Sequence, residues 1–264
     1  MIKFGIVLLL ALANTSYAFA QTDTPSPPPA ARATDAHPWT RAQALLRTIE
    51  ADARTRGIRA VEPHVSEMEE ALADAPHAFG APPGPDGTAY VLTDGMAEAL
   101  VAMAASRESG ARNVVAIPNP YPLISLYLGS YYDEIEKYED ALRVLDAGLK
   151  LTAAAEFRLG ETTPLLISER GAALNGLKRW DDSLANYDDG LKIAAMKDED
   201  RARLFRGRGY ALTELRRLDD AEEAYKNSLK LEPGNKTALN ELNYIARLRA
   251  GGLAEPGKIA IPKQ

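Results

Sequence analysis

The chain has 264 residues, 46% of them apolar, and a formal charge of −6, enough to bury a core in one domain or in one domain with a smaller appendage. Its modest, mixed charge carries no basic stripe, which speaks against nucleic-acid binding. With no cysteine, it has neither a disulfide framework nor a thiol for lipid attachment, so stability rests on packing alone.

Residues 1–20, MIKFGIVLLLALANTSYAFA, combine Lys3, an apolar run from Phe4 to Ala13 and small residues at Ala18 and Ala20. This is the pattern of a cleaved secretory leader, with the mature chain expected to start at Gln21 in the periplasm or beyond it. No later stretch approaches the roughly 18 apolar residues of a membrane span. Residues 21–38, QTDTPSPPPAARATDAHP, are rich in proline and alanine without periodicity and read as a disordered linker.

A smaller, mostly helical module is expected over 39–121. Trp39, Ala42, Leu46, Ile49 and Ala53 line one helix face, and Gly57 ends that helix. Val61, Val65, Met68 and Leu72 mark a second helix, with Pro63 tolerated in its first turn, and the two form a hairpin. GAPPGPDG (80–87) is a surface loop. TAYVL (88–92) and NVVAI (113–117) read as short strands able to pair, flanking a helix from Met96 to Arg107 with Asp94 as its N-cap.

From residue 122 the chain repeats. LGSYYDEIEKYEDALRVLDAGLKL (128–151), RGAALNGLKRWDDSLANYDDGLKI (170–193) and RGYALTELRRLDDAEEAYKNSLKL (208–231) align without a gap. Small residues recur in three columns: Gly129, Gly171 and Gly209; Ala141, Ser183 and Ala221; Gly148, Gly190 and Ser228. Helices approach closely only where side chains are that small, so these columns mark crossings. Larger columns at helical spacing supply the packing layer, among them Tyr138, Trp180 and Leu218, and Leu145, Tyr187 and Tyr225.

The arrangement resembles the tetratricopeptide repeat family, whose unit of roughly 34 residues is a helix-turn-helix with a leucine-glycine pair, an aromatic, an alanine and a closing proline. Leu128, Gly129 and Tyr132, then Gly171, Trp180 and Tyr187, then Gly209, Ala221, Tyr225 and Pro233 carry the likeness. It implies an all-α solenoid of helical hairpins at 122–155, 164–197 and 202–235, with a capping helix to 249 and a loose tail over 250–264. The departures are spacings of 42 and then 38 residues between the glycines, and Ala153 and Ala195 at the proline place. Residues 153–163 and 194–201 are accordingly expected to lengthen second helices and loops.

No catalytic, metal or cofactor constellation stands out. Asp181, Asp182, Asp188 and Asp189 lack the alternation and glycine of an EF-hand loop. His37, His64 and His77 have no ligand partner at metal spacing, and no serine sits in a nucleophile elbow. The resemblance instead implies a concave groove lined by the first helix of each unit: Leu123, Leu126, Ser130 and Asp133; Leu165, Ser168, Ala172 and Asn175; Arg203, Arg206, Tyr210 and Thr213. The cluster Arg201, Arg203, Arg206 and Arg208 is read either as a receptor for an acidic segment or C-terminal carboxylate or as neutralising Glu199, Asp200 and the acidic second helices. The family's carboxylate clamp is matched only by Arg203, against Leu126, Ser130, Glu169 and Gly207.

These features imply a periplasmic scaffold that binds a peptide segment or protein partner, without a cofactor. Two alternatives are an assembly or oligomerisation factor of an envelope complex, and an enzyme with its site near His77, Asp86 and Asp94 in the N-terminal module.

Overall fold

The computed structural model describes residues 38–76, 86–151 and 160–251. The leader, nearly all of the linker, most of the 80–87 loop, His37, His77 and the 252–264 tail lie outside the described residues. Among the described residues no helix is long and apolar enough to cross a membrane.

Helix α1 (Pro38–Arg56) buries Ala42, Leu45, Ile49 and Ala53 on the face set by its apolar spacing. Gly57 then takes φ +82°, which glycine adopts without a Cβ penalty. The next segment departs from expectation. Ile58–His64 is a 3-10 turn containing Pro63, and α2 (Val65–Ala73) begins only after it. Strand β1 (Thr88–Thr93), helix α3 (Met96–Glu108) and strand β2 (Asn113–Pro118) follow as a βαβ unit. The strands pair in parallel with Tyr90 opposite Val115, which requires a crossover, and α3 supplies it.

Three hairpins come next: α4 (Tyr121–Glu134) with α5 (Tyr138–Leu151), α6 (Thr163–Gly176) with α7 (Trp180–Gly190), and α8 (Asp198–Glu214) with α9 (Leu218–Leu231). Helix α10 (Lys236–Arg249) closes the row, its N-cap Asn235 accepting a bond from Ala238 N. The result is an all-α tetratricopeptide-type solenoid with a small parallel strand pair at one end.

The small-residue columns sit at the crossings. A Cβ on Gly129 would lie 2.5 Å from Leu145, and one on Gly209 2.9 Å from Tyr225. Gly171 and Gly207 clamp one ring between them, since a Cβ on either would lie within 2.3 Å of the Tyr187 Cζ. Within each hairpin the turn is also the same. Glu136, Lys178 and Arg216 have φ of 63°, 59° and 60°. Paired bonds close each turn, for example Arg179 N to Leu174 O and Lys178 N to Asn175 O. This is the Schellman arrangement, built here on residues other than glycine.

The connection after α7 corrects the expected long second helix. Helix α7 stops at Gly190, and Arg201 donates to the carbonyl oxygens of Leu191 and Ile193 at 3.1 and 2.7 Å. These bonds satisfy acceptors that another helical turn would have used. The extra residues appear instead in the loop and in the long α8.

The N-terminal helices are bolted to the first hairpin. Glu69 accepts from Tyr132 Oη at 2.7 Å and from both Arg143 Nη atoms at 3.0 and 2.6 Å, while Arg59 pairs with Glu134 at 3.0 Å. The βαβ unit is tied to the second hairpin by Asp94. Asp94 is not the N-cap of α3, a role taken by Gly95 without a side-chain bond. Its carboxylate instead accepts from Thr162 N and Thr162 Oγ1, both at 2.8 Å, at the start of α6, where unpaired N–H groups favour an anion.

Two opposite stability changes follow. Gly171→Ala should destabilise by about 1–3 kcal/mol, because the added methyl overlaps the clamped Tyr187 ring. Lys178→Gly should stabilise by up to about 1 kcal/mol by relieving a left-handed backbone conformation. Thermal melts of both variants beside the parent check the pair, and a neutral Gly171→Ala would misplace the crossing.

Candidate functional site

The first helices of the hairpins touch one another, α4 on α6 and α6 on α8, whereas α5 and α7 each pack on the first helix of the next unit. Neighbours converge on the side of the first helices, which makes that side the inner wall of the curve.

The wall differs along its length. Leu126 is 2% exposed, Ser130 5% and Leu165 8%, and Leu123 is half-buried against the same cluster. That cluster also holds Ile49, Met68, Leu92 and Tyr121. The N-terminal helices cover α4, and the apolar end of the expected groove is therefore interior. Leu126 and Leu165 support the wall and present no surface to a ligand. Farther along, Ser168, Ala172, Asn175, Arg203, Arg206 and Tyr210 are half-buried. Tyr210 stands edge-on to Trp180, with ring centres 6.1 Å apart.

The arginines are already engaged. Arg203 pairs with Asp200 at 2.7 Å, and Arg206 pairs with Glu232 at 2.5 Å while donating to Ser228 Oγ at 3.1 Å. Their side chains are only 19% and 12% exposed. Burial holds the Arg206 guanidinium below its ordinary pKa, against the opposing pull of Glu232. Arg208 binds Asp188 at 2.6 Å, and Arg201 caps α7. An acidic segment reaching Arg203 or Arg206 must displace Asp200 or Glu232.

Two acids lie on this wall, Asp133, which is among the expected groove positions, and Glu169, which is not. Glu169 is 3% exposed and accepts from Ser130 Oγ at 2.9 Å. Burial raises its carboxyl to about 8, with Asp133 adding to the rise. Asp133 is raised to about 7 by burial and then by Glu134. Asp133 Oδ1 and Asn175 Oδ1 are buried without a hydrogen-bond partner. The two residues occupy equivalent places in the first and second hairpins, where the third has Thr213. A signal existed in the sequence, since Glu169 and Arg170 interrupt the otherwise small and apolar stretch Pro164–Leu174 of α6.

The aspartate pairs are structural. Asp182 and Asp220 lie in the first turns of α7 and α9, held by Arg179 and Arg217 at 2.7 and 2.6 Å. Negative charge there complements the helix N-terminus. Among the described residues no group of three or more potential ligands could hold a metal. Asp86 and Asp94 flank the two ends of six-residue β1, about 20 Å apart at strand rise, so they do not converge on one cleft.

No family model and no curated protein matches the chain. Among solved structures, the first tetratricopeptide domain of human RPAP3 is similar over 50% of this chain and 94% of its own, at 24% identity and a TM-score of 0.43. The first such domain of Spaghetti (RPAP3), bound to an HSP90 peptide, gives 25% identity and 0.42 over 49% and 94%. A MamA RS-1 ArsTM double mutant gives 17% identity and 0.43 over 79% and 85%.

The buried acids set a pH dependence. Glu169 binds its proton more tightly folded than unfolded, so its contribution to stability is whole below about 4.5 and is lost as pH rises through about 8. The slope reaches up to about 1.4 kcal/mol per pH unit. Glu169→Gln should flatten the fall in melting temperature across that window and raise stability at its alkaline end. Equal slopes in parent and variant would show that Glu169 does not titrate there.

Proposed function

We propose that this tetratricopeptide-type solenoid is a scaffold whose inner wall, from α6 through α8, holds a peptide segment or protein partner. The observation that carries the reading is the change along that wall. It is closed by the N-terminal helices at α4 and becomes half-buried, polar and aromatic at Ser168, Asn175, Arg203, Arg206 and Tyr210. An extended segment laid there meets hydrogen-bonding groups at successive hairpins, and the half-buried hydroxyls of Ser168 and Tyr210 can accept from a segment offering N–H donors. An acidic or C-terminal segment remains the alternative ligand for Arg203 and Arg206, at the cost of their present partners. In this proposal the leader at residues 1–20 delivers the mature chain, beginning at Gln21, to the periplasm.

A second reading, an assembly or oligomerisation factor, is favoured by the burial of Leu126 on α4, against which the N-terminal helices pack. That packing commits one end of the groove to the protein's own architecture.

The test is site-specific photocrosslinking of the mature chain in envelope extract. A crosslinker at Ser168 or Tyr210 should capture a discrete partner, while one at the outward Arg217 should not. Equal capture at all three positions would remove the groove. If the segment is acidic, Arg203→Ala should weaken that capture and added salt should weaken it further; an undiminished yield favours the donor-bearing segment.

A further inference from the structure

The βαβ unit breaks the surface pattern of the rest of the protein. Among the described residues, the large apolar side chains that are more than a third exposed are Tyr90, Met96, Leu100, Val101, Val115 and Leu239. All but Leu239 belong to this unit. Helix α3 turns Glu98, Ala99 and Ala102 inward. Its opposite face is exposed and apolar over Met96, Ala97, Leu100, Val101 and Ala104, and Arg107 and Glu108 charge it only in the last turn. A surface helix ordinarily shows polar residues there.

The two strands are also unequal. Apart from Tyr90, β1 is buried or half-buried, with Ala89 2% and Val91 1% exposed, whereas every residue of β2 is exposed or half-buried. Beyond the ladder to β1, Val114 through Ile117 make no backbone hydrogen bond among the described residues. Edge strands that stay single are usually guarded by a lysine, a bulge or an internal proline. Here Val114–Ile117 is uncharged and its only proline, Pro118, ends the strand. A two-stranded sheet is marginal alone, and parallel strands are normally covered on both faces.

We propose that β2 is a seam between two copies of this chain, joined antiparallel about a two-fold axis perpendicular to the sheet. The partner is a second copy because an identical strand meets its own charges at such an axis, and β2 has none to repel. The helices fit as well. Helix α3 packs on both β1 and β2, so its axis lies over the strand pair. Joining β2 to β2 places the two α3 axes about two strand spacings apart, roughly 9.6 Å. That is within the 8–10 Å at which helices pack, with the perpendicular axis keeping both on one face. Ala104 and Ala105 allow that approach. The dimer is a four-stranded sheet with two adjacent helices above it, and it leaves the α6–α8 wall of each copy unoccupied.

Light scattering on the full mature chain should give twice the chain mass, falling to a single mass in Val115→Lys without loss of melting temperature. Because the protein has no cysteine, Val115→Cys treated with a short bis-maleimide should yield a covalent dimer. A parent that is monomeric over a wide concentration range overturns the seam. So does a dimer that persists in Val115→Lys, or a folded Val115→Cys protein that does not crosslink. None of these outcomes depends on whether the groove binds a segment.

Discussion

The arrangement depends on helices crossing where a side chain is missing. Tyr187 fills the space between Gly171 on α6 and Gly207 on α8, and its hydroxyl donates to Ser168 O at 3.3 Å. One ring therefore fixes the distance between two inner helices and the tilt of the second hairpin. The same relation recurs as Leu145 on Gly129 and Tyr225 on Gly209. Since interiors are packed at nearly crystalline density, a methyl at these points cannot be absorbed locally. The inner wall inherits its spacing from these contacts, so the placement of Ser168, Arg203 and Tyr210 is a consequence of where the glycines are.

A second consequence is electrostatic. Close first helices bring α4 and α6 near enough that Ser130 reaches Glu169 and Asp133 raises the Glu169 carboxyl. Buried ionisable groups normally acquire partners or lose their charge. Both responses occur on this wall. The arginines of α8 are paired with Asp200, Glu232 and Asp188, while the acids of α4 and α6 hold protons more tightly. A reading of the wall from charges in the sequence alone would make it basic toward α8. Paired, those cations leave a much weaker field than their number suggests.

What could be read from the sequence was what repeats. The small-residue columns and the aromatic partners at fixed offsets gave the solenoid fold, because a contact made three times leaves three aligned traces. The strands of the βαβ unit were visible as β-branched runs, but not their parallel pairing with α3 as crossover. Contacts made once left no trace. Asp94 looked like the cap of the helix that follows it and instead caps α6, far along the chain. Arg201 looked like part of a cationic cluster and instead terminates α7. Leu126 and Leu165 occupied groove positions by repeat register, yet both are buried, and the N-terminal helices pack on α4 at that end.

That last difference bears on how the protein divides its surfaces. A solenoid end must be capped, since each repeat leaves an apolar face for the next. At the C-terminal end α10 performs this with its own amphipathic face, burying Ala238 and Ile245. At the N-terminal end the job falls to α1, the 3-10 turn and α2, and the βαβ unit is fastened to the start of α6 through Asp94. Capping alone would need only the helices. The βαβ unit adds an open strand edge and an exposed apolar stretch of helix, Met96 to Ala104, that capping does not need. An architecture that covers one apolar end so thoroughly, yet leaves another apolar surface outward, separates the place where a segment would lie from the place where copies would meet.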